Sequence, residues 1–523
     1  MTSGPAAHAP WRPRHNPWLV TLSVMLATFM EVLDTSIANV ALPHIAGNLS
    51  ATNEEATWVL TSYLVSNAII LCAAAWLSTY FGRKKYLAFS VIIFTVSSAM
   101  CGLAQTLPQL VGARIIQGIG GGGLQPLAQA IMLECFAPEE RGAAMAAYGM
   151  GIVVAPIIGP TLGGWITDNY SWRWIFLINI PIGLLGAYMQ GIFVEDPPYL
   201  AKQRVGRIDY VGFGFMALGI GLLQLVLDKG QEADWFDATW ICWASGISVA
   251  SLLTFVWWEL KIKHPIMNLR LLLNRNLSMG CVLMGILGAV LFGTTAILPI
   301  FMQTLLGYTA LASGMAMTPR GIGSFISMLV VGRIVKLIDT RAIMMAGFLG
   351  LAATLMMLSQ LNLEITTANI AWPLVLNGMT MGFIFVPLTT LSMATLRQQD
   401  IQQGTGIYSL LRNLGASIGI SIMVAVQSRL AQGHQVALIS HLTPYDQSYR
   451  INLAHFAQVL RGWAPLSALG AARGMIYMQA VRQATLLAFV DTFHVLTIIC
   501  LLVCPFAWVF KKGQGGGGHV AIE

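Results

Sequence analysis

Long apolar segments recur along almost the whole of this 523-residue chain. About 20 mostly apolar residues are enough for a helix to cross a bilayer, and a helix satisfies all its backbone hydrogen bonds there. About fourteen segments meet this condition, and they cover residues 18–42, 57–79, 86–105, 108–133, 142–167, 173–194, 209–228, 239–258, 277–303, 312–335, 341–361, 370–395, 403–427 and 489–510. The pattern therefore predicts an all-α polytopic membrane protein with about fourteen transmembrane helices.

Composition argues against a soluble protein and against nucleic-acid binding. Hydrophobic residues make up 56% of the chain and charged residues only 10%, whereas soluble domains carry about 25% charged residues. If residues 1–17 are cytoplasmic, most Lys and Arg residues fall in cytoplasmic segments, and the short outer loops hold only Arg173 and Lys229. This asymmetry follows the positive-inside rule. We therefore predict a multi-pass protein in contact with membrane lipid, with both termini in the cytoplasm and no nucleic-acid partner.

A faint internal repeat indicates two halves. GLQPLAQ at 123–129 resembles IFVPLTT at 384–390, about 261 residues later. Such repeats are typical of secondary transporters, whose substrate site lies between the halves near the middle of the membrane. The predicted domains are a cytoplasmic tail (1–17), a six-helix half (18–194), a linker with two extra transmembrane helices (195–276), a second six-helix half (277–510) and a Gly-rich cytoplasmic tail (511–523). The second half includes a long outer loop, 428–488, which we expect to be partly helical.

Two acids, Glu31 and Asp34, lie near the middle of the first segment, on one arc of the predicted helix. The other residues of this arc are Thr28, Thr35, Ala38 and Asn39. An ionised carboxylate in hydrocarbon is costly, so such residues usually face a protein interior or a watery cavity and serve a function there. We interpret Glu31 and Asp34 as proton-coupling residues, and Thr35 and Asn39 as part of a substrate cavity. A buried structural pair of acids is the alternative.

One face of the fourth predicted helix carries Arg114, Gln117, Gly118, Gly121, Gln125 and Gln129. A lone arginine in a transmembrane helix needs an acidic partner or water, and Glu31 and Asp34 are the candidates. An arginine beside a carboxylate stabilises the ionised acid, and its withdrawal favours protonation. This is the physical basis of a proton switch; a static buried ion pair is the alternative. We assign the three glutamines to the substrate cavity. The glycine run 120–123 is assigned to close helix packing, since no strand precedes it as in a phosphate-binding loop.

The fifth segment combines prolines and glycines, namely Pro156, Gly159, Pro160, Gly163 and Gly164. Proline kinks a transmembrane helix, and glycine lets a neighbouring helix approach closely. We interpret these residues as a hinge at the interface of the two halves. A purely structural kink is the alternative.

Three further arginines are candidate gate residues. Arg320 lies in the tenth segment, about two turns from its outer end; it either extends its side chain to the surface or closes an outer gate by pairing with an acid of the first half. Arg412 lies in the thirteenth segment, nearer the cytoplasmic end, where membrane anchoring is the other interpretation. Arg83 lies in the turn between the second and third segments.

The sequence contains no recognisable pattern of catalytic or metal-binding residues. The seven cysteines lie in or near apolar segments, without the spacing of a disulfide framework or a metal site. A phosphate-binding loop and a plausible serine triad are also missing. We therefore predict no enzyme activity, no metal and no cofactor, and an ion gradient rather than ATP as the energy source.

Four motifs give the chain a resemblance to a known family. VLDTSIANVALP (32–43), RIIQGIGGG (114–122), APIIGPTLGG (155–164) and WRWIFLINIPIG (172–183) resemble motifs of the fourteen-span drug:proton antiporters of the major facilitator superfamily. The resemblance covers nearly the whole chain and is closest to the EmrB-type multidrug exporters of Gram-negative inner membranes. It implies the major facilitator fold, with two six-helix halves and two extra central helices. It also implies that Asp34 is the acid of the first motif and that Arg114 takes part in proton transfer.

The chain departs from the superfamily's loop motif between the second and third segments. Ala75 and Thr79 stand where that motif has a glycine and an aspartate, whereas residues 82–84 match it. The departure argues against a cytoplasmic gate that depends on that aspartate. Glu31 is an addition beside Asp34, which leaves open which acid carries the proton.

The resemblance implies a proton-coupled antiporter that exports small amphipathic drugs or toxic compounds across the bacterial inner membrane. It also implies a tripartite pump, in which a periplasmic membrane-fusion adaptor protein links the transporter to an outer-membrane channel. In the expected cycle Asp34 or Glu31 takes up a proton from outside, which weakens the interaction of Arg114 with the acid. The two halves then open towards the inside, and substrate displaces the proton. Two alternatives stay open: an exporter of one endogenous metabolite or siderophore, and a membrane sensor that kept the fold without transport.

Overall fold

The computed structural model describes residues 13–137, 139–197, 209–262, 265–335, 337–461 and 468–511, and all regular structure in these ranges is helical. The helices of the first half are α1 (Pro17–Asn48), α2 (Asn53–Phe81), α3 (Arg83–Leu103), α4 (Leu107–Gly121), α5 (Leu124–Cys135), α6 (Arg141–Asn169), α7 (Trp174–Leu177) and α8 (Asn179–Phe193). Two accessory helices follow, α9 (Tyr210–Lys229) and α10 (Thr239–Lys261). The helices of the second half are α11 (Arg275–Thr304), α12 (Ala310–Ile334), α13 (Thr340–Leu358), α14 (Thr367–Met393), α15 (Ile401–Ser440), α16 (Gln447–Leu460) and α17 (Ala468–Val503).

Among the described residues, thirteen helical stretches are long and apolar enough to cross a membrane, and one of them, Trp174–Phe193, contains a single turn residue between α7 and α8. The fourth predicted segment adds one more crossing, made of the two shorter helices α4 and α5. The predicted all-α polytopic fold is therefore confirmed. The prediction that the glycine run 120–123 lies inside a single helix is wrong, because α4 ends at Gly121 and α5 begins at Leu124. Glycine has a low helix propensity, and four in succession leave little to hold the helix together.

The bundle has two ends, which we name by their residues. The basic side carries residue 14, the 82–84 turn and residues 195–196, which contact one another: the backbone N of Lys84 donates to Asp196 at 2.9 Å. The start of α15 lies there as well, since Gln402 donates to the backbone O of Ala75 at 3.0 Å. The extension side is the opposite end, towards which α15 runs. The predicted domain boundaries stay predictions, and residues 1–12 and 512–523 of the two predicted tails lie outside the described ranges.

Helices pack into two bundles joined along α6 and α12. Within the first half, α1 packs on α6 and α8, and α4 packs on α2 and α3. Within the second half, α11 packs on α15, and α12 packs on α14. Of the accessory helices, α9 packs on α2 and α15, whereas α10 packs mainly on α9. The two accessory helices are therefore attached to the outside of the bundle through α9.

The thirteenth crossing is much longer than its apolar segment. α15 has 40 residues, which at 1.5 Å per residue is about 60 Å, roughly twice the thickness of the hydrocarbon core. Together with α16 and the first part of α17 it extends the second half on the extension side. The predicted loop 428–488 is therefore largely helical in its described residues, which confirms the expected helical content. Its description as a loop is wrong, because α15 and α17 run into it without a break.

Candidate transport site

A buried cluster of hydrogen bonds surrounds Asp34 in α1. Asp34 Oδ2 lies 2.5 Å from Arg114 Nη1 of α4. Asp34 Oδ1 accepts from Gln117 Nε2 at 3.1 Å and from Asn179 Nδ2, at the start of α8, at 2.8 Å. Asn179 also donates to Ser98 Oγ of α3 at 3.0 Å. Three donors, one of them charged, thus converge on one carboxylate, an arrangement suited to the ionised acid.

Arg114 is enclosed on every side. Its side chain is 0% exposed, and its Nε donates to the backbone O of Val59 at 3.1 Å. The guanidinium carbon lies 4.5 Å from the ring centroid of Tyr63 and 5.3 Å from that of Phe176. The expected pair between Arg114 and an acid of α1 is therefore present, and its acid is Asp34. Cation–π contacts with two rings add to the stabilisation of the buried charge.

Glu31 lies about one turn from Asp34 on the basic side and is held differently. It is 4% exposed, and its Oε1 accepts from Asn67 Nδ2 of α2 at 3.1 Å. Its Oε2 has no hydrogen-bond partner among the described residues. A Cβ atom at Gly121, at the end of α4, would lie 2.9 Å from Tyr63 Oη and 3.0 Å from Asn67 Nδ2, so this glycine leaves room for the amide that binds Glu31. Glu31 therefore has one oxygen outside the Asn67 bond, and the side chain of Gln125 also interacts with its carboxylate.

A polar row leads from Glu31 towards the extension side along α1. Thr35 Oγ1 donates to the backbone O of Glu31 at 3.1 Å, and Asn39 Nδ2 donates to that of Thr35 at 3.4 Å. Thr35 is half-buried and Asn39 is exposed, whereas Thr28, on the other side of Glu31, is completely buried. The predicted polar arc of α1 is thus accessible at its extension end and closed at its basic end.

Two of the three glutamines predicted for the cavity lie between the halves. Gln125 of α5 accepts a hydrogen bond from Arg412 Nη2 of α15, and Gln129 accepts one from Ser409 Oγ at 3.4 Å. Gln117 was assigned to the cavity, but its amide binds Asp34 inside the first half. The break after α4 explains this difference, because Gln117 and Gln125 belong to separate helices. Arg412 is 4% exposed and bonds across the two halves, which contradicts an anchoring role, whereas its assignment as a gate stays a prediction.

An apolar cavity lies between the halves beside Arg412. Its walls come from α6, α11, α14 and α15, and consist of Ile152, Val153, Met284, Leu287, Gly288, Leu291, Phe292, Met381, Phe385 and Arg412. Arg412 Nη1 has no hydrogen-bond partner among the described residues. In this conformation the cavity is small, about 20 Å³, and its wall is apolar apart from the single charged group of Arg412.

The glycine run packs α4 against its neighbours, as the sequence predicts. A Cβ at Gly118 would lie 2.0 Å from Ser66 Oγ, and one at Gly120 would lie 2.6 Å from the backbone N of Phe94. A Cβ at Gly122 would lie 2.5 Å from the backbone O of Asn67. These distances leave no space for a side chain, so close contact with α2 and α3 requires glycine.

The proline–glycine motif lies in α6 between α1 and α12. Proline at 160 has no N–H to donate to the carbonyl of Pro156, and Ser36 Oγ of α1 donates to that carbonyl at 3.0 Å instead. A Cβ at Gly159 would lie 2.4 Å from Ser36 Oγ, and one at Gly163 would lie 2.9 Å from Ile37 Cγ2. On the other side, Pro160 Cβ would lie 3.3 Å from a Cβ at Gly314 of α12, in the second half. The motif therefore lies at the interface that a hinge would need; Gly164 is buried in the same helix.

Arg83 connects the two halves on the basic side. Its Nη1 lies 2.8 Å from Glu134 Oε2 and its Nη2 3.1 Å from Glu134 Oε1, with both side chains buried. Arg83 Nη2 also donates to Gln402 Oε1 of α15 at 2.8 Å. The Gln402 amide in turn donates to Ser78 Oγ and to the backbone O of Ala75. This network closes the basic side with a neutral amide, next to the position where the superfamily's loop motif has an aspartate.

Arg320 of α12 does not contact the first half's acids. It is 2% exposed, and its Nη1 donates to Thr295 Oγ1 of α11 at 2.6 Å. Its Nη2 has no partner in the described part of the chain, and no described acid lies within ion-pair distance. The predicted pairing of Arg320 with an acid of the first half is therefore absent, because Arg320 is enclosed within the second half.

Sequence reasoning missed several site residues. Asn67 and Asn179 bind the two acids of α1, and Glu134 and Gln402 complete the Arg83 network. The signal that could have found them is the cost of a buried amide or carboxylate in an apolar segment, which requires a partner. The sequence therefore shows that each of these side chains needs a partner, but it does not show which residue the partner is.

Comparisons with known proteins agree with this geometry. A family model described as the Major Facilitator Superfamily matches residues 24–420. The chain belongs to the major facilitator superfamily. Membership of this transporter superfamily indicates a multi-span membrane transporter rather than an enzyme, and the resemblance to its EmrB-type members is confirmed by the relatives that follow.

Several relatives match almost the full length. The fatty acid resistance protein FarB of Neisseria gonorrhoeae is 35% identical over 502 residues, 96% of this chain and 97% of its own. The multidrug export protein EmrB of Escherichia coli (strain K12) is 34% identical over 507 residues, 96% of this chain and 97% of its own. Among solved structures, the human organic anion transporter MFSD10 covers 93% of this chain and 100% of its own, with a TM-score of 0.60 and 14% identity. The proton:xylose symporter XylE covers 94% of this chain and 95% of its own, with a TM-score of 0.59 and 15% identity. At such low identity the two structures show the fold alone.

Proposed function

We propose that this chain is a proton-coupled antiporter that exports small amphipathic drugs or toxic compounds across the bacterial inner membrane. Relatives named as multidrug export proteins support the export of drugs. The observation that carries the proton coupling is Glu31, a buried acid with an unpartnered oxygen at the junction of the halves. The charge asymmetry of the sequence supports placing the basic side in the cytoplasm and the extension side in the periplasm.

Glu31 is the residue that we assign to carry the proton. Protonating Asp34 would weaken bonds to Arg114, Gln117 and Asn179, one of them charged, whereas Glu31 has only neutral amides as hydrogen-bonding neighbours, Asn67 and Gln125, and its Oε2 has no hydrogen-bond partner among the described residues. Thr35 and the exposed Asn39 form the polar face of α1 between Glu31 and the extension side, and this is the face along which the proton arrives in the proposal. Asp34 and Arg114 then form a fixed charge pair that holds α1 against α4 and α8, next to the titrating acid.

The proposed cycle uses the contacts between the halves. In the observed conformation the Arg83 network closes the basic side, and Glu31 is positioned to receive a proton from the periplasm. The charge of Arg412 acts on Glu31 across the interface, so protonation of Glu31 weakens the attraction between the halves and favours opening to the cytoplasm. Substrate then enters the apolar cavity, and Glu31 releases its proton to the cytoplasm. The halves return to the conformation that is accessible from the periplasm, where the substrate leaves. Antiport requires that substrate and proton favour opposite states.

The partners that we propose are a periplasmic membrane-fusion adaptor and an outer-membrane channel. Support comes from the extension formed by α15, α16 and α17, a helical surface beyond the membrane on the periplasmic side. Such a surface suits contact with another protein. An adaptor bound to this helical surface would carry substrate across the periplasm to the outer-membrane channel.

The test is transport by purified protein in liposomes without an adaptor. A pH gradient, acidic on the extension side, is imposed, and movement of a fluorescent amphipathic drug is followed for wild type, Glu31→Gln and Asp34→Asn. We expect gradient-driven movement in wild type, its loss in Glu31→Gln with drug exchange retained, and a folding defect in Asp34→Asn. Glu364→Gln, the same change at an exposed acid away from the site, serves as the control. Drug movement in wild type that ignores the gradient would exclude proton coupling; gradient-driven movement in Glu31→Gln would exclude Glu31 as the carrier.

A further inference from the structure

Arg320 is a buried charge that the proposed antiport cycle does not use. Its guanidinium is bonded to one hydroxyl, that of Thr295, and its Nη2 has no acceptor among the described residues. The described chain offers it no carboxylate, in contrast to Arg83 and Arg114, each of which has a buried acid. A buried charge without a partner is costly in a membrane, and such residues usually serve a ligand or a transported ion.

The internal repeat shows what Arg320 lacks. Pro126 and Pro387, the matched prolines of the repeat, are 261 residues apart, and Thr295 is the residue 261 positions after Asp34. In the first half Asp34 receives the guanidinium of Arg114, and in the second half Thr295 receives that of Arg320. Arg320 itself has no such counterpart, because the residue 261 positions after Arg114 is Val375. The second half nevertheless has a guanidinium beside the counterpart of Asp34, and that counterpart is a hydroxyl where the first half has a carboxylate.

Arg320 also lies next to the apolar cavity. Its partner Thr295 follows Leu291 by one turn of α11, and Leu291 lines the cavity. In α14, a Cβ at Gly378 would lie 1.9 Å from the backbone O of Arg320, and Gly378 precedes the cavity residue Met381 by about one turn. Arg320 and Thr295 are therefore neighbours of the cavity wall, about one helical turn beyond it towards the extension side.

We infer that Arg320 and Thr295 bind the anionic head group of an amphipathic substrate, a carboxylate or a similar oxyanion, while the apolar part of the substrate occupies the space that this cavity becomes when the halves separate. A guanidinium suits this role because its planar N–H groups bind a carboxylate with two parallel hydrogen bonds. The inference rests on the proposed function, since it names the substrate class of the same cavity. The anion site belongs to the second half and the proton site, Glu31, to the first.

The experiment measures binding in the absence of any pH gradient. Purified protein in nanodiscs of neutral phosphatidylcholine is titrated with dodecanoate, dodecyltrimethylammonium and dodecanol, which share one chain and differ in head group. We expect Arg320→Gln to weaken dodecanoate binding by about ten-fold or more, the loss typical of a charge-assisted hydrogen bond. Binding of the other two ligands should change by less than about two-fold. Arg397→Gln is the matched control, because its side chain is 74% exposed and pairs with Asp400 away from the cavity.

Each outcome bears on the inference. Unchanged dodecanoate binding in Arg320→Gln, or an equal loss for all three ligands, would overturn it, the latter pointing to a packing or gate role. If Arg320→Gln does not fold, Thr295→Val tests the same site, and a selective loss for dodecanoate is again required. Displacement of dodecanoate by added phosphatidylglycerol would assign the site to a lipid head group and overturn the substrate interpretation. A failure of proton coupling in the liposome assay would leave this binding result unaffected, so the two proposals fail separately.

Discussion

At the scale of single residues, the two acids of α1 differ in how their oxygens are bonded. Both oxygens of Asp34 are occupied, and its charged partner Arg114 is completely buried. Removing one member of such a pair leaves an uncompensated charge in a medium that solvates it poorly. Neighbouring acids in one helix can therefore serve two purposes, one as a fixed charge and the other as a titrating group.

Arg114→Gln tests the fixed pair. We expect it to lower the free energy of unfolding by about 3–5 kcal/mol, because the carboxylate of Asp34 stays buried without its cation. The double variant Asp34→Asn with Arg114→Gln should recover part of this loss, since both charges are then removed. Unfolding by denaturant in mixed micelles measures the difference. A double variant no more stable than Arg114→Gln would contradict the argument.

The sequence predicts the need for the Asp34–Arg114 pair and not the rest of the cluster. The cost of a buried charge points to a partner for Arg114, and the two acids of α1 are the nearest candidates. Gln117 was assigned wrongly to the substrate cavity. A helical face shows which residues share one side of a helix, but it does not show whether that side faces the cavity or the interior of the first half. Asn179 is a single amide in an apolar segment. Its position shows no periodicity, and the sequence does not say which of many polar residues it binds. Contacts between distant segments decide these roles, and one sequence does not contain them.

At the scale of helices, glycines in α4 decide how closely the first half packs. Gly118→Ala would place a methyl group 2.0 Å from Ser66 Oγ and 2.6 Å from the backbone O of Tyr63, and the backbone atom cannot move aside. We expect poor folding or loss of transport, with destabilisation of about 1–3 kcal/mol from overpacking. Gly112→Ala in the same helix is the control, because nothing lies within 4 Å of its Cβ position. Size-exclusion profiles and thermal unfolding of the two variants provide the comparison, and equal behaviour would refute the packing role.

The apolar segments predict the crossings well and the helix ends poorly. Thirteen of the described crossings are helical stretches long enough to span the membrane, as the hydropathy pattern indicates. The fourth is broken, because hydropathy does not register the low helix propensity of consecutive glycines. α15 continues for 13 residues beyond the predicted end at 427, to Ser440, because backbone hydrogen bonding continues past the apolar segment. Hydropathy predicts which residues lie in the lipid bilayer. The ends of a helix also depend on helix propensity and on backbone hydrogen bonding outside the bilayer.

At the scale of the whole molecule, the two ends of the bundle are in different states. The basic side is closed by buried hydrogen bonds between the halves, whereas the polar row of α1 ends at an exposed Asn39 on the extension side. The conformation is therefore closed towards one side of the membrane and accessible from the other. A transporter that alternates between two such states must break the Arg83 network in every cycle, so that network needs to be strong enough to seal and weak enough to open.

Gln402→Leu tests this closure. The variant removes the amide that joins α15 to Arg83, Ser78 and the backbone of Ala75, while keeping the size of the side chain. The loss of net hydrogen bonding is about 1–3 kcal/mol, which should raise the population open on the basic side by about five-fold or more. The reporter is a cysteine introduced at Val153, in the wall of the cavity, in a background without the native cysteines.

Labelling by a membrane-impermeant maleimide in inverted vesicles measures that opening. We expect faster modification of the cavity cysteine in Gln402→Leu than in the parent. The exposed Gln399→Leu is the control for a change of the same kind at the same end of α15. Equal rates in all three proteins would show that the amide does not hold the basic side closed. A rise confined to Gln402→Leu would mean that this chain closes its basic side with a neutral amide, which requires no titration in order to open.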